Sequence, residues 1–450
     1  MPFLNLKKIN TTNLSKNYNF VFATNEILLD TALKFLVFYS LFFVSSGISP
    51  SQIATLEIIE KTVSLIFEIP AGILADFFNK KTIINLGYLG VILAIVIFIF
   101  FRSFEAFVVA EILWGMGMSC ISGTNIAWLS AKTSEKEANE LSSHIPKFTS
   151  FTSIIAGLTG GLVSNYLGYG YAWGLLVVAL SALLIFNIQN MEDDELKVRI
   201  SWKEEIINIR TKLKKFFGKS NLEKSEYLKT RFEKNSKDII KKETDELSTF
   251  EYLRTNLINN WRIGLHFFLI GTFFVPIFVF WQILVTNNFG WNLSFLGFVA
   301  GVIYVFVGAG SWIFSYLSKK NWKAESIEIF NSILMVVSSL LLVLATHLEF
   351  GSLINSIIFV LGMLGIEASL GLFFSSRNFL INQDLDESHR TSVLSMYNFI
   401  RIIGTIVGML VFGKVADYYG LNNAFWVPVV FGILGLVNWI ITKKTQQKTP

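Results

Sequence analysis

The chain has 450 residues, of which 52% are hydrophobic and only 16% charged, with 43 Phe and a mean hydropathy of +0.53. A soluble domain carries about 25% charged residues, so this composition places most of the chain in lipid and excludes a soluble globular protein. The net charge of +5 points to no nucleic-acid partner, and the single cysteine, Cys120, rules out an internal disulfide and gives no framework for a metal.

The first 25 residues are polar and mixed, without the apolar core and cleavage site of a signal peptide, so the amino terminus is expected to remain uncleaved in the cytoplasm. A membrane-crossing helix needs about 20 mainly apolar residues. Twelve stretches qualify: 27–46, 52–75, 82–101, 104–127, 146–167, 171–190, 262–285, 293–315, 326–347, 352–375, 393–416 and 423–442. Six precede a long charged segment and six follow it. This gives a first unit over 1–190, a cytoplasmic linker over 191–255 and a second unit over 256–450.

Lys and Arg concentrate on the cytoplasmic side of a membrane protein. With the amino terminus inside, the inside segments hold 32 of them and the outside loops hold Arg102 alone. Both termini are therefore expected in the cytoplasm, and the chain in the plasma membrane.

Two segments repeat. Gly161-Leu-Val-Ser-Asn165-Tyr166-Leu-Gly168 ends span 5, and Gly413-Lys-Val-Ala-Asp417-Tyr418-Tyr-Gly420 ends span 11, at an offset of 252. The polar end of span 2 has an echo in Ser311 to Lys320, at an offset of 239. Chance likeness between apolar helices does not place their polar ends in register, so a 6+6 duplication is expected.

In the linker, Ser201-Trp-Lys-Glu204 and Ser248-Thr-Phe-Glu251 have the capping-box pattern. Trp202, Ile206, Ile209, Leu213 and Phe217 then recur at helical spacing, which reads either as a helix on the inner membrane surface or as a partly ordered tether. Gly218-Lys-Ser220 looks like the end of a phosphate loop, but Leu213 occupies the place of the first Gly, so no nucleotide site is expected.

Between spans 2 and 3 stands Glu68-Ile-Pro-Ala-Gly-Ile-Leu-Ala-Asp-Phe-Phe-Asn-Lys-Lys81. It resembles the loop between helices 2 and 3 of the major facilitator superfamily, G-x-x-x-D-[RK]-x-G-[RK]-[RK], with Gly72, Asp76, Lys80 and Lys81 in register. Phe77 stands where a basic residue is usual and Asn79 where Gly is usual. Ala156-Gly-Leu-Thr-Gly160-Gly161 in span 5 resembles the antiporter pattern of that superfamily without its Pro. In span 4, Glu111 stands where the superfamily usually has Arg, and Trp114 where it has Gln. The resemblance implies an all-α membrane protein of twelve transmembrane helices, two pseudo-symmetric six-helix bundles rocking around a central cavity. It further implies a cytoplasmic gate in which Asp76 meets the start of span 11 near Thr391 and Ser392.

An ionisable group at mid-span is costly unless paired or hydrated, so each is a candidate for function. Lys34 and Glu68 lie at similar depth on spans 1 and 2 and suggest a pair, with Asp30 one turn from Lys34 as a third member. Glu57, Lys61, Ser64, Glu68, Gly72 and Ala75 follow each other on one face of span 2, and Glu60 adds a further carboxylate. Glu111 is either a proton acceptor or a partner for Arg102. In the second half, Glu367 and Arg401 stand at equal depth on spans 10 and 11 and suggest another pair. Span 7 is rich in aromatics, which are expected mostly to face lipid. Tyr39, Trp114, Phe274, Trp281 and Gln282 are candidates for a substrate cavity. The four histidines (His144, His266, His347 and His389) lack metal-ligand spacing, and loop or interface roles are expected for them. No cofactor is expected.

Together these features lead to a monomeric secondary transporter for a small-molecule substrate. The carboxylates suit proton-coupled efflux of an apolar or amphipathic compound. Import of a nutrient, anion or peptide through Lys34, Lys61 and Arg401, or a non-transporting scaffold or sensor, are the alternatives. No nucleophile, metal or acid–base triad suggests an enzyme.

Overall fold

The computed structural model of the protein describes residues 13–133, 135–192, 252–348, 350–382 and 390–446. The linker helix expected behind Ser201 and both linker capping boxes lie outside the described residues. Within them every regular element is helical: α1 (Asn13–Phe35), α2 (Tyr39–Ser45), α3 (Pro50–Phe77), α4 (Lys80–Phe100), α5 (Phe104–Lys132), α6 (Glu135–Tyr166) and α7 (Tyr169–Asn190) come first. The second half holds α8 (Trp261–Phe289), α9 (Leu293–Lys319), α10 (Ala324–His347), α11 (Ser352–Asn382), α12 (Arg390–Tyr419), α13 (Leu421–Ala424) and α14 (Trp426–Gln446).

The polar breaks of the sequence become caps. Ser49 and Gln52 close a reciprocal capping box ahead of Pro50 at the first turn of α3, and Ser103 and Asn292 cap α5 and α9. Asn79, which replaces the usual Gly of the family loop, caps α4 by accepting from Lys81 N at 3.1 Å. The repeated turns end alike: Gly168 has φ +91° and Gly420 φ +87°, a left-handed backbone that favours glycine at both.

Among the described residues, ten helical segments, counting α1–α2 and α13–α14 as one each, are long and apolar enough to cross a membrane. The helices α3 and α6 have comparable length but more charge. Several helices outrun the apolar windows read from the sequence: α1 starts at Asn13, α6 at Glu135, and α11 continues to Asn382. Polar extensions of this kind keep helical hydrogen bonding beyond the apolar stretch.

Side-chain bonds gather the connections at two ends. Arg102 reaches Ser46, Trp291 reaches Ser356, Asn288 reaches Asn422, and His347 faces Asn423, which together define a turn end. Tyr18 and Trp128 meet Glu192, and Tyr397 meets Asn256, at the opposite, terminal end.

Consecutive long helices are often not neighbours. The helix α1 packs on α6 and α7, and α3 packs on α5 and α12. Likewise α11 packs on α9 and α10, whereas α12 packs on α8 and α3. The first and second halves of the chain meet along α6–α9 and α3–α12. At the former, a Cβ on Gly157 would stand 2.6 Å from Gly297 O and one on Gly161 2.3 Å from Leu293 O, so these backbones touch. At the turn end Ser51 N donates to Asp417 Oδ1 at 3.1 Å and Ser40 Oγ donates to Val279 O, which ties the halves together there.

The helix α8 corrects an expectation. Phe267, Phe273, Phe274, Phe280 and Trp281 are buried in protein, not turned to lipid. Gly271 lies against the Arg401 carbonyl and Gly404 against the Phe268 carbonyl, so α12 seats directly on α8 and its aromatics fill the core.

Candidate functional site

Most of the charged candidate residues collect in two clusters. The first lies where the two halves of the chain meet. Lys34 Nζ stands 2.7 Å from Asp30 Oδ2, one turn earlier on α1, the favourable acid-before-base order at i,i+4. Its ammonium also reaches Thr149 O on α6 at 3.5 Å and lies 6.0 Å from the ring of Tyr304 on α9. Lys34 is the cation whose field acts on Glu367 of α11, and Tyr304 lies within the fields of both Glu367 and Asp30. Glu367 is 1% exposed, whereas the Asp30 side chain is 40% exposed, so the cluster runs from open space into the second half. Thr31 and Thr152, 2.6 Å apart, fasten α1 to α6 beside it.

Two expected pairs do not form. Lys34 closes on Asp30, and Glu68 is exposed on α3, because α1 packs on α6 and α7 instead of α3. Arg401 takes the Asn398 side-chain oxygen at 2.9 and 3.1 Å and not Glu367, because α11 and α12 pack on different neighbours. Sequence adjacency of the spans misled both pairings.

The second cluster lies inside the first half, towards the turn end. The chain kinks after α1 through the i→i+3 bonds Leu36 N–Leu33 O and Tyr39 N–Leu36 O, and α2 then presents Tyr39. Its hydroxyl donates to Glu111 of α5, a buried carboxylate. Lys61 Nζ is 2.5 Å from Glu60 Oε2, and Ser64 Oγ donates to Glu60 Oε1 at 3.1 Å. The fields of Glu57, Glu60, Lys61 and Glu111 all act on one another. Lys61 contacts Glu60, and Glu57 and Glu111 lie within electrostatic range of that pair. Gly115 makes the assembly fit: a Cβ there would stand 2.9 Å from Glu60 O, so the Trp114-Gly115 step lets α5 approach α3. The alternative partner for Glu111 is ruled out geometrically, since Arg102 stacks 4.3 Å from the Phe42 ring and bonds Ser46.

The remaining candidates sit apart. Phe274 is buried against Phe273 and Phe278, and Trp281 stacks on Phe359. With the Gln282 amide oriented to satisfy its neighbours, its nitrogen donates to Val279 O at 3.1 Å and its oxygen accepts from Trp281 Nε1 at 2.8 Å. These three are committed to the core of the second half. Trp114 is half-buried. Gly72 lies in the last turns of α3 with open space beside it, while Lys80 and Lys81 begin α4. The side chains of Asp76, Thr391 and Ser392 lie outside the described residues.

Sequence reading missed four participants. Tyr304 sits in an unbroken apolar run, and nothing in its surroundings flags it. Asn125 donates to Glu26 Oε1 at 2.5 Å, and both stand inside predicted spans or at their edge, where their polarity was the available signal. Glu328 lies three residues into the ninth predicted span, where a carboxylate near a helix start reads as a cap; it is fully buried beside His266.

Membrane-length helices in two sequence halves that meet over a charged cluster define a membrane transport protein. The sequence matches the Major Facilitator Superfamily over residues 19–401, and the chain belongs to that family. It is 28% identical over 148 residues to "Uncharacterized MFS-type transporter YxaM" of Bacillus subtilis (strain 168); the match covers 32% of this chain and 36% of that relative's length. Among solved structures, the nucleoside transporter NupG is similar with a TM-score of 0.67 at 14% identity, covering 96% of this chain and 98% of that one. A peptide transporter POT in complex with sulfate has a TM-score of 0.72 at 11% identity, covering 96% and 94%. These likenesses define an all-α membrane transport fold.

Proposed function

We propose that the protein exports a small amphipathic compound in exchange for protons, by alternating access. The observation that carries this reading is the position of Lys34 at the junction of the halves, bound to Asp30 on its own helix, 3.5 Å from Thr149 O of α6 and 6.0 Å from the Tyr304 ring of α9, with Glu367 of the second half in its electrostatic range. A change of charge at Glu367 alters its attraction to Lys34 and biases how the halves sit on each other. A proton or a substrate competing at this point is thereby linked to rocking. In this reading all twelve predicted spans cross the plasma membrane, two six-helix units alternate around the cavity, and the terminal end with its Lys and Arg faces the cytoplasm. The halves touch at the turn end through Ser51–Asp417 and Ser40–Val279, which matches an inward-facing arrangement. The surplus of carboxylates at Glu57, Glu60 and Glu111 over Lys61 suits a cationic amphiphile. The Gly72–Lys81 segment, which runs from the last turns of α3 into the start of α4 with Asp76 at its centre, would act as the cytoplasmic gate.

One observation favours a second reading. Arg401 is met by an amide oxygen and not by a carboxylate in the described contacts, an arrangement that suits import of an anion. Energised everted vesicles separate the two. Under the first reading, adding an amphipathic cation dissipates the vesicles' pH gradient, and Glu367→Gln abolishes this response. Flux of the compound that ignores the proton gradient, in wild type and variant alike, would sink the coupling.

A further inference from the structure

The connection between α9 and α10 carries Lys319, Lys320 and Lys323 within five residues. It closes α9 through a left-handed Asn321 (φ +57°), with Asn321 N donating to Ser318 O at 3.0 Å and Trp322 N to Leu317 O at 3.2 Å. That turn fixes where Trp322 and Lys323 leave the helix. Beside it opens a cleft of about 550 Å³, whose polar lining is Asn321, Lys323 and Ser326 and whose apolar lining includes Trp322, Phe330 and Ile333. Trp322 meets Phe330 edge-on, with the rings 6.5 Å apart. No carboxylate is among the residues that line the cleft.

The cleft joins a charged lip to an apolar strip. Phe330, Ile333, Val337 and Leu344 are exposed and recur on one face of α10, so the apolar lining continues along the helix. On α9, Trp312 and Tyr316 are exposed and stack 5.9 Å apart, one to two turns before the lysines. Tryptophan and tyrosine collect at the headgroup level of a bilayer, which sets the cleft at the boundary between headgroups and hydrocarbon. Lys320 lies 5.8 Å from the Tyr316 ring, and none of the three lysines makes an ion pair among the described residues. Glu325 in the first turn of α10 offsets one of the three charges, and the lip stays positive.

The start of α10 adds to that charge. Lys323 holds the capping position and its side chain caps nothing, whereas Ser103 and Asn292 cap α5 and α9. In the first half, the helix that follows the echoed polar end is α4, and Asn79 closes its start with its own side-chain oxygen. A cation at a helix amino terminus is unfavourable, and an anion bound beside it offsets both the ammonium and the helix dipole.

We infer that this cleft binds one anionic phospholipid, its phosphate at Lys320 and Lys323 and an acyl chain along Phe330, Ile333 and Val337. Charge and shape select that occupant together. The unpaired lysines call for an anion, and the exposed strip that continues from the cleft gives the anion's apolar tail a seat, which inorganic phosphate does not use. A zwitterionic headgroup would bring its own ammonium against the lysines. A lipid seated here braces α10, which packs on α11 and α14 of the second half. The inference rests on the chain's place in a membrane and is independent of the proposed transport reaction.

The test is native mass spectrometry of the purified, delipidated full-length protein, titrated with a phosphatidylglycerol, a phosphatidylcholine of the same acyl chains, and inorganic phosphate. Phosphatidylglycerol is expected to bind more tightly than phosphatidylcholine. Lys319→Gln, Lys320→Gln and Lys323→Gln together are expected to weaken its binding by about tenfold or more. Ile333→Trp, which fills the cleft and keeps every charge, is expected to weaken it to a similar degree. Equal phosphatidylglycerol binding in wild type and the lysine variant overturns the inference. So does a loss confined to the lysine variant, which would leave surface charge without a cleft. Displacement of the lipid by an equal concentration of inorganic phosphate would mark a free-anion site instead, and a two-chain mass that depends on the lysines would mark a second copy; either result also overturns it. Should Ile333→Trp fail to fold, a phosphatidylglycerol with brominated acyl chains takes its place. It is expected to quench fluorescence more in wild type than in Trp322→Phe, and equal fractional quenching counts against the cleft.

Discussion

Tyr39, on the short helix beyond the kink in α1, donates its hydroxyl hydrogen to Glu111 of α5. That bond brings a residue of the first span to a carboxylate in a helix more than seventy positions on, beside Glu57, Glu60 and Lys61. A hydrogen bond to a charged group contributes about 1.5–3 kcal/mol, so Tyr39→Phe and Glu111→Gln are each expected to slow transport by roughly tenfold or more. Because both act in one network, the double variant should be no slower than the worse single variant. Initial efflux rates of the three proteins decide this. Multiplicative losses would show that the two residues act separately.

Lys34 ties the junction, and its removal leaves Asp30 without its partner and Glu367 without its cation. Lys34→Gln is therefore expected to reduce transport at least tenfold, equivalent to about 1.4 kcal/mol. Because the two residues are expected to act on one step, adding Glu367→Gln to Lys34→Gln should slow flux no further than the worse single variant. Vesicle flux measurements read both outcomes, and a double variant slower than either single one would show that Lys34 does not answer to Glu367.

How far the site was legible follows from geometry. Charged residues on α1, α3, α5 and α11 stood out because a membrane-length apolar run makes each one conspicuous, whereas the caps Ser49 and Asn292 became visible only in the structure. Partners were not legible, because helix neighbours in space are not neighbours in sequence: Lys34–Glu68 and Glu367–Arg401 both failed on that point. The α8 aromatics were misread for a related reason. A wholly apolar helix looks the same whether lipid or protein surrounds it, and only the close seat of Gly404 on the Phe268 carbonyl reveals which. Asn79 shows the converse, since a departure from the family loop turned out to be a cap for α4.

Ser51 N and Asp417 Oδ1, 3.1 Å apart, latch the halves at the turn end, where a carboxylate meets the first turn of α3. A carboxylate at a helix amino terminus contributes about 0.3–1 kcal/mol at an exposed site. Asp417→Asn should thus raise the population opened at this end by roughly two- to fivefold. Cys120 is the sole cysteine and is buried, and Ala54 of α3 is itself buried against Gly413 of α12, so Ala54→Cys in a Cys120→Ser background reports the opening through its rate of maleimide labelling. An unchanged rate would mean that the backbone contacts alone hold this end.

Those backbone contacts supply the last prediction. Gly161 of α6 lies against α9, where a Cβ would stand 2.3 Å from the Leu293 carbonyl and 2.9 Å from Gly297 Cα. Backbone atoms of a neighbouring helix cannot rotate out of the way as a side chain can, so Gly161→Val forces α6 and α9 apart along their length. Overpacking of this kind costs about 1–3 kcal/mol, and it falls on the state in which the turn end is closed. Gly174 of α7 is the control, because nothing lies within 4 Å of an added Cβ there, and alanine is favoured over glycine inside a helix by about 1 kcal/mol. Gly161→Val is expected to insert into the membrane at normal levels, to melt several degrees lower in detergent and to lose most of its transport. Gly174→Ala is expected to melt slightly higher and to transport normally. The decisive comparison is maleimide labelling of the Ala54→Cys reporter: faster in Gly161→Val than in Gly174→Ala if the glycine seam closes the turn end, and equal in both if the seam only supports the fold.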